Sequence, residues 1–251
     1  MRMQVVIVAT SLLTAVGAGG STAWAQQATT GLENSKGVVW GSIGFQADIG
    51  GSVNSSGIGN ILGLPAEINA NTWGERYDTS LLIRVGGAYN YSNISQVTFA
   101  VYWEQGESDE APVGLLGGQQ LNAKFSDQQG WGMDVGYRRF FPTTKSFKPF
   151  AGVAIGLQRS QDITATLEAP TQRFQFVDVP FYDDSWVIAW RLGGGFMWDI
   201  KPTFGVQVTL DLKYAGVLSD QAGLGQLFLE RVNDTGNRWT LPVLGGFYVK
   251  F

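Results

Sequence analysis

The sequence predicts an all-β protein, a closed antiparallel eight-stranded transmembrane up-and-down β-barrel. Eight segments alternate apolar and polar side chains, and each is about as long as a membrane-crossing strand of ~9–11 residues. The spacers between them alternate in length, as the turns and loops of such barrels do. The last segment, TLPVLGGFYVKF, keeps the alternation up to Phe251. No stretch after the N-terminal segment approaches ~20 continuous apolar residues, so no spanning helix is predicted there.

The first four predicted strands cover roughly residues 37–50, 77–91, 94–105 and 130–141. Successive side chains of a strand point to opposite faces, so residues of one parity share a face. The predicted apolar faces are those of Val39, Ile43, Phe45, Ala47 and Ile49 in the first strand, Tyr77, Leu81, Ile83, Val85, Tyr89 and Tyr91 in the second, Val97, Phe99, Val101 and Trp103 in the third, and Trp131, Met133, Val135 and Tyr137 in the fourth.

The last four predicted strands cover roughly residues 147–160, 185–199, 203–217 and 237–251. Their apolar faces are those of Phe147, Ala151, Val153, Ile155 and Leu157 in the fifth strand, Trp186, Ile188, Trp190, Leu192, Phe196 and Trp198 in the sixth, Phe204, Val206, Val208, Leu210, Leu212 and Tyr214 in the seventh, and Leu241, Val243, Gly245, Phe247, Val249 and Phe251 in the eighth. Pro242 cannot donate to a ladder, so a bulge or a local gap is expected in the eighth strand.

The spacers indicate how the barrel is oriented. Those after the second, fourth and sixth strands are the short sequences NYSN, PTTKS and IKP, whereas those after the other strands are long, at about 51–76, 106–129, 161–184 and 218–236. Short turns on one side and long loops on the other are typical of outer-membrane barrels. An even strand count then places both termini on the short-turn, periplasmic side.

Alternation alone does not say which face points outward, since a soluble eight-stranded barrel has the same period but turns its apolar face inward. Aromatic residues lie near both ends of the apolar face, with aliphatic residues between them, as in the interfacial girdles of membrane barrels. The opposite face is rich in charged residues and glycine, which suits the narrow interior of an eight-stranded barrel. The pattern therefore favours a membrane barrel.

The N-terminus has the features of a cleaved signal peptide. Arg2 precedes an apolar stretch, and Ala23-Trp24-Ala25 forms a small-x-small cleavage site. A transmembrane anchor is the alternative, but the apolar stretch is short and no stop-transfer charges follow it. The predicted division is a signal peptide over 1–25, a periplasmic lead-in over 26–36 and an outer-membrane barrel over 37–251.

The composition excludes several classes of function. Without Arg2 the chain has 16 basic and 21 acidic residues, so it is a poor nucleic-acid binder. It has no cysteine and no histidine, which excludes Ser-His-Asp, Cys-His and Asp-His catalysis and thiolate metal sites. A Ser-Lys or paired-carboxylate site stays open as an alternative, but no motif indicates one. We expect a protein that is not an enzyme, with no cofactor and no metal site. Acidic residues in the loops, Glu104, Glu107, Asp109, Glu110, Asp183 and Asp184, lack the spacing of a calcium loop, so solvated loop tips are favoured over a Ca²⁺ site.

These features resemble the small outer-membrane barrel superfamily, which includes the barrel of outer-membrane protein A, the Omp25/Omp31-like surface proteins and the Ail-like porin-family proteins. The segment YRRFF…KPFAGVAIG is similar to a strand-turn-strand of such barrels. The resemblance implies outer-membrane lipid and lipopolysaccharide as surroundings. It also implies an assembly signal in Phe247, Val249 and Phe251 that the barrel-assembly machinery reads.

The inward charges are the candidate site: Asp48, Arg84, Glu104, Asp134, Arg138, Arg191, Asp211 and Lys213. Charges in a narrow interior need partners, because an unpaired buried ion is costly. A salt-bridged plug is favoured, with a gated narrow pore as the alternative. Trp40 points inward near the periplasmic mouth, and the segment RFQFVDVPFY is predicted to extend a hairpin beyond the membrane. The resulting expectation is a structural and surface interaction protein that binds an extracellular ligand through its loops, with a narrow channel as the alternative.

Overall fold

The computed structural model describes residues 35–141, 143, 146–172, 174–220, 229, 231–234 and 236–251. The predicted signal peptide and most of the predicted lead-in lie outside the described residues. In chain order the described strands are β1 (Gly37–Gly50), β2 (Ser52–Asn54), β3 (Gly57–Ile61), β4 (Leu64–Ile68), β5 (Asn71–Thr72), β6 (Ser80–Ser92), β7 (Ser95–Gly106), β8 (Ala111–Leu116), β9 (Gln119–Phe125), β10 (Gln128–Phe140), β11 (Phe147–Ser160), β12 (Ile163–Ala169), β13 (Phe174–Tyr182), β14 (Ser185–Lys201), β15 (Phe204–Ala215) and β16 (Arg238–Lys250). A helical turn, α1, spans Trp73–Arg76, and a 3-10 turn spans Pro170–Gln172.

The eight long strands form a closed antiparallel barrel in the order β1-β6-β7-β10-β11-β14-β15-β16, with β16 pairing back to β1. Every barrel strand pairs with the preceding and following barrel strands of the chain, so the topology is up-and-down. Backbone bonds between Phe251 and Gly37 continue this closure past the end of β16. The predicted fold class is confirmed, and the predicted strand ends differ from the observed ones by three residues at most.

The ladder between β15 and β16 is interrupted at the predicted position. Leu210 pairs with Val243 and Lys213 with Thr240, but the two positions between them, Asp211 opposite Pro242 and Leu212 opposite Leu241, are not paired. The register is the same on both sides of the interruption, so this is a gap and not a bulge. On its other side β16 pairs with β1 in one register from Lys250 to Thr240, including Gln46 with Pro242, and the register shifts between Asp48 and Gly50.

The outside of the barrel is apolar over its whole circumference. The side chains predicted to face outward are exposed there, as on β1 (Val39, Ile43, Phe45), β7 (Val97, Phe99, Val101), β11 (Val153, Ile155, Leu157) and β16 (Val243, Phe247, Val249). Trp131 and Trp186 pack edge to face at 4.8 Å near one end, and Phe204 and Phe247 stack at 5.7 Å near the other. A continuous apolar belt between two girdles of aromatic residues is the surface of a membrane-spanning barrel.

The long connections at one end of the barrel are not irregular loops. They form a second sheet of six strands in the order β13-β12-β9-β8-β4-β3, together with the β2–β5 pair. Strands from three different connections meet in this sheet, with β4 on β8 and β9 on β12. We call this structure the cap. It consists of β2, β3, β4, β5, α1, β8, β9, β12, β13 and the described residues between β15 and β16. The predicted hairpin is present as far as the structure describes it, since β13 (Phe174–Tyr182) pairs with β12.

The cap encloses an apolar core of its own. Trp73, Tyr77, Phe125, Phe181 and Tyr182 are buried in it, and their rings form a continuous series of contacts with centroids 5.1–6.5 Å apart. The prediction that Tyr77 faces outward at the start of the second strand was wrong. That strand begins at Ser80, and Tyr77 is 5% exposed inside the cap because its aromatic ring packs on Trp73.

Candidate functional site

The lumen nearest the cap is filled around the carboxylate of Glu104, which projects inward from β7. Lys213 Nζ donates to Glu104 Oε2 at 2.6 Å, and Arg238 Nη1 donates to Glu104 Oε1 at 3.0 Å. Three inward amides donate as well, from Gln46 at 3.0 Å, Gln128 at 3.3 Å and Gln158 at 2.8 Å. Both oxygens of one buried carboxylate are thus fully used, which offsets its desolvation.

Arg238 joins Glu104 to a second carboxylate. Its Nε and Nη2 form two bonds with Asp48, the Nη2–Oδ2 distance being 2.9 Å. The guanidinium also lies 5.5 Å from the ring of Trp73, at the bottom of the cap core. This arginine therefore links the polar lumen to the apolar interior of the cap.

Two arginines and two aspartates form a second cluster at mid-height. Arg84 donates to Asp211 at 2.9 Å, and Arg191 makes a two-pronged pair with Asp134 at 2.8 and 3.0 Å. Arg191 also reaches Asp211 at 3.5 Å, so the aspartate is shared between the two arginines. Leu82, Tyr102 and Leu244 pack together inside the lumen between this cluster and that of Glu104.

The short-turn end of the lumen is closed by a third group. Asp199 bridges Lys148 and Lys250, the latter at 2.6 Å, and accepts a hydrogen bond from the hydroxyl of Tyr248. Beside it lies an apolar layer that includes Val38, Trp40, Phe140, Phe150, Met197 and Tyr248. Trp40 is 3% exposed, and its ring lies 5.1 Å from the guanidinium carbon of Arg138, which lies 4.8 Å from the ring of Phe150.

The structure places all eight predicted lumen residues inside the barrel and brings seven of them into ion pairs, Arg138 being the exception among the described contacts. Sequence reasoning missed Arg238, Lys148 and Asp199, together with the three glutamines around Glu104. Strand alternation could have identified two of these residues. Arg238 lies an even number of residues from the inward Thr240 and Lys250, and Asp199 lies an even number of residues from the inward Arg191. Placing Glu104 in an acidic loop was wrong, as its side chain is 1% exposed in the lumen.

Two small cavities lie among the charged side chains of the lumen. One cavity of about 10 Å³ is lined by Arg138, Arg191, Thr209 and Asp211 among others, and another of about 10 Å³ by Arg84, Tyr102, Asp134 and Lys213 among others. A volume of about 10–15 Å³ holds roughly one water molecule. A third cavity, of about 20 Å³, lies in the cap core between Phe125, Leu167 and Phe181.

The cap also contains a buried arginine. Arg76, the last residue of α1, is 3% exposed; its Nη2 donates to the Pro112 carbonyl at 2.5 Å and to Asn71. Burial lowers the pKa of Arg76. Glu75 closes a capping box with Thr72, whose backbone N–H donates to the carboxylate at 2.7 Å and lowers the pKa of Glu75. Burial raises the pKa of the Tyr77 hydroxyl, which donates to the Ser126 carbonyl at 3.1 Å.

The exposed acidic residues of the cap are paired locally or solvated. Glu110 accepts a bond from Asn122 at 2.8 Å, and Asp184 pairs with Arg159, whose hydrogen bond lowers the pKa of Asp184. Within the described ranges, no group of three or more acidic residues is arranged to hold a metal ion. In that same part of the chain, no helix is both long and apolar enough to cross a membrane.

These features define a class of protein: a membrane-spanning barrel of eight strands, apolar outside, filled with paired charges inside and closed at one end by a folded cap. No protein-family profile matches the chain, and no curated protein matches it either. Among solved structures, the chain is similar to Neisserial surface protein A, with 15% identity and a TM-score of 0.45 over 86% of this chain and 97% of that one. It is also similar to Ail, the attachment invasion locus protein of Yersinia pestis, with 12% identity and a TM-score of 0.37 over 85% and 99% of the two chains. A third similar structure is the outer membrane protein OprG of Pseudomonas aeruginosa, with 14% identity and a TM-score of 0.38 over 86% and 97%.

Proposed function

We propose that the protein is a bacterial outer-membrane barrel that acts as a structural and surface interaction protein through its cap. Lipid and lipopolysaccharide surround the apolar belt, both termini lie in the periplasm, and the cap faces the outside of a Gram-negative cell. The observation that supports this most directly is the filled lumen. Three layers of paired charges and two apolar layers leave cavities of only about 10 Å³ each, so the barrel serves as an anchor for the cap.

Conductance measurements test the filled lumen. Folded protein in planar bilayers should give no reproducible single-channel current, whereas a true narrow channel would. Arg84→Gln and Arg191→Gln, which each remove one arginine of the mid-height cluster, serve as diagnostic variants. A reproducible conductance that these substitutions abolish would overturn the proposal.

A narrow channel for ions or small solutes is the second candidate, because two carboxylates are each shared by two cations. Glu104 binds Lys213 and Arg238, and Asp211 binds Arg84 and Arg191. Asp211 can release Arg191, which keeps Asp134, and Glu104 can release Arg238, which keeps Asp48. Neither change leaves a charge wholly unpaired, which lowers the cost of rearranging the plug. Conductance that appears only above a threshold voltage, and disappears in Arg84→Gln, would favour this candidate.

The orientation of the cap can be tested by labelling, since the chain has no cysteine. Gln120→Cys places a unique thiol on the exposed surface of the cap, and Thr203→Cys places one in the exposed turn between β14 and β15. A membrane-impermeant maleimide added to intact cells should label the first variant and leave the second unlabelled until the outer membrane is permeabilised. The opposite pattern would reverse the proposed orientation.

The β3–β4 hairpin is the part of the cap best suited to contact a partner. Ile58 is 82% exposed and Leu62 is 71% exposed, and Leu64 and Leu115 are also exposed nearby. Leu62 has a φ of 52° and Gly63 one of 83°, so they form a two-residue turn in the left-handed region, where asparagine and glycine are favoured. A leucine in a strained, solvent-exposed position suits contact with an apolar surface better than it suits folding.

We propose further that the protein is not an enzyme, because the chain offers no histidine or cysteine as base or nucleophile. Folded protein incubated with labelled lipid A and phospholipids should show no turnover; release of an acyl chain or head group would contradict this.

We also propose that the barrel-assembly machinery recognises Phe247, Val249 and Phe251 as an assembly signal. All three side chains point outward, at 61%, 50% and 69% exposure.

A further inference from the structure

Arg138 differs from the other inward cations of the lumen. Arg84, Arg191, Lys213, Arg238, Lys148 and Lys250 each contact a carboxylate. Arg138 is 3% exposed, and within the described part of the chain no carboxylate lies within 4.0 Å of its guanidinium. The rings of Trp40 and Phe150 contact its guanidinium at 5.1 and 4.8 Å. Aromatic rings stabilise a cation but do not neutralise it, so among the described residues a positive charge is buried here without a carboxylate in contact.

A small cavity lies against this guanidinium. Its volume is about 10 Å³, and its lining includes Arg138, Gly152, Gly193 and Thr209. Gly152 and Gly193 face each other across β11 and β14, so no side chain projects into the lumen from this part of the wall. A Cβ at Gly152 would lie 3.2 Å from Arg138 Cγ, and one at Gly193 would lie 2.2 Å from Asp211 Oδ1. The two glycines therefore keep open the space next to the arginine.

A second donor in the cavity also lacks a partner. Thr209 Oγ1 is buried and makes no hydrogen bond. A buried hydroxyl without a partner is destabilising, so an acceptor in the cavity would remove that cost. Asp211 also lines the cavity, but its carboxylate is already bound by Arg84 and Arg191. Its nearness is the one unfavourable contact for an anion, and these two arginines screen it.

We propose that this cavity binds one monatomic halide ion, held by the guanidinium of Arg138 and the hydroxyl of Thr209. A monatomic halide supplies the missing negative charge and is the smallest common anion, so it requires the least widening of a cavity that holds about one water molecule, whereas phosphate and sulfate, with five heavy atoms each, require far more. A water molecule would fill the cavity and accept the hydroxyl proton, but it would leave the arginine charge uncompensated. The site lies in the lumen, so this inference is independent of what the cap contacts.

The test is the stability of the folded protein as a function of halide. The protein is refolded and unfolded by urea in lipid vesicles at constant ionic strength, with sodium bromide exchanged for sodium gluconate. An ion that binds only the folded state raises the folding equilibrium constant about tenfold for each tenfold rise in its concentration above the dissociation constant. Bromide should therefore stabilise the wild-type protein with a saturable onset, and sulfate should not. The anomalous scattering of bromine should give a peak beside Arg138 in crystals grown with bromide.

Two variants separate the site from a general salt effect. Thr209→Val removes an unpartnered hydroxyl while keeping the side-chain shape, so in gluconate the variant should be at least as stable as the wild type, and its response to bromide should be reduced about tenfold or more in affinity. Arg138→Gln should lose the response altogether. Thr240→Val, which removes an inward hydroxyl near Gln46 in the layer nearest the cap, is the matched control and should respond to bromide as the wild type does.

Equal stability of the wild-type protein in bromide and gluconate would overturn the proposal and leave water in the cavity. A bromide response that persists unchanged in Thr209→Val and Arg138→Gln would overturn it as well, because the ion would then act elsewhere. If Arg138→Gln fails to fold, Thr209→Val and the anomalous signal decide the outcome.

Discussion

The barrel and the cap each enclose an interior, and the two interiors are filled with side chains of opposite polarity. Both are β-structures with a closed interior. Among the described residues, the barrel interior holds seven cationic side chains and five carboxylates, whereas the cap interior is a cluster of aromatic and aliphatic residues. The barrel presents its apolar residues outward to lipid, and so its polar residues face inward. The cap buries an apolar core away from water, although Ile58 and Leu62 of its β3–β4 hairpin stay exposed.

The buried side chains change from polar in the barrel to apolar in the cap within single continuous segments of the chain. On β7 the inward side chain nearest the cap is that of Glu104, and on β8 the buried side chains are Val113 and Leu116. On β11 the inward Gln158 precedes the buried Ile163 of β12. Arg238 and Trp73, 5.5 Å apart, mark the boundary between the two interiors. The surroundings of each region, and not the strand period, therefore decide which parity is buried.

The largest effect is expected from Glu104→Gln in the barrel. It leaves Lys213 without a carboxylate and Arg238 with Asp48 alone, and removing one partner of a buried ion pair costs about 3–5 kcal/mol. Urea unfolding of the barrel in lipid vesicles should show this loss. Glu110→Gln, at an exposed position of the cap, is the control and should change stability by about 0.5 kcal/mol or less. Adding Lys213→Met to Glu104→Gln should restore part of the loss, and equal effects of the two single glutamine variants would show that the lumen charges do not hold the barrel together.

Trp73→Ala should affect the cap more than the barrel. Trp73 is 0% exposed, packs against the tilted ring of Tyr77, stacks on Tyr182, and donates from Nε1 to the Asn237 carbonyl at 2.9 Å. Truncating a buried tryptophan costs about 3–5 kcal/mol. Limited proteolysis should cleave the cap of this variant, while the folded barrel keeps its altered mobility in unheated gels. Phe99→Ala, on the lipid-facing side, should leave the cap resistant. Loss of the barrel together with the cap would show that the two interiors fold as one unit.

The contrast between the regions also explains what the sequence predicts. Every barrel strand and its outward face follow from uninterrupted alternation over 12 or more residues, from Gly37–Gly50 to Arg238–Lys250. The cap strands are short and are interrupted by glycine, proline and register shifts, as at Pro112 and Gly114. They also pair across different connections, such as Ala165 with Phe125, and local periodicity does not specify such partners. Tyr77 was misplaced for the same reason, since an aromatic residue next to a strand fits both a membrane girdle and a cap core.

The candidate site could be predicted as a set of inward charges but not as a set of pairs. Parity alone identifies Glu104, Lys213 and Arg191 as inward. It does not show that Arg238 joins Asp48 to Glu104, because that contact depends on the tilt and stagger of the strands. Nor does it show that Arg138 lies between two rings, because the lengths and rotamers of facing side chains decide which reach each other.

Deleting Phe251 should have a smaller effect on stability and should act on the barrel alone. The residue closes the ladder, since its carbonyl accepts from Lys36 at 2.8 Å and Gly37 at 3.1 Å and its N–H donates to Gly37 at 3.1 Å. Losing these bonds should cost about 1–3 kcal/mol. The yield of folded protein in the outer membrane should fall, while protein that does fold keeps a protease-resistant cap. Phe251→Trp, which retains an aromatic side chain, is the control, and a normal yield of the deletion variant would remove Phe251 from the proposed assembly signal.

The smallest effect is expected from Leu62→Asn at the tip of the β3–β4 hairpin, and it has the opposite sign. Leu62 has a φ of 52°, which costs a leucine about 1–2 kcal/mol, whereas asparagine tolerates this conformation. The side chain is 71% exposed, so little burial is lost and the cap should become about 1 kcal/mol more stable. Hydrogen exchange of the hairpin amides would measure this gain. The same substitution removes an exposed apolar side chain, so cells that display it should bind less well to an octyl-agarose surface. Leu62→Ile keeps the apolar contact but strains the turn, and should reverse both results. If Leu62→Asn destabilises the hairpin, the leucine contributes to the fold of the cap, and the hairpin tip loses its place as the contact surface.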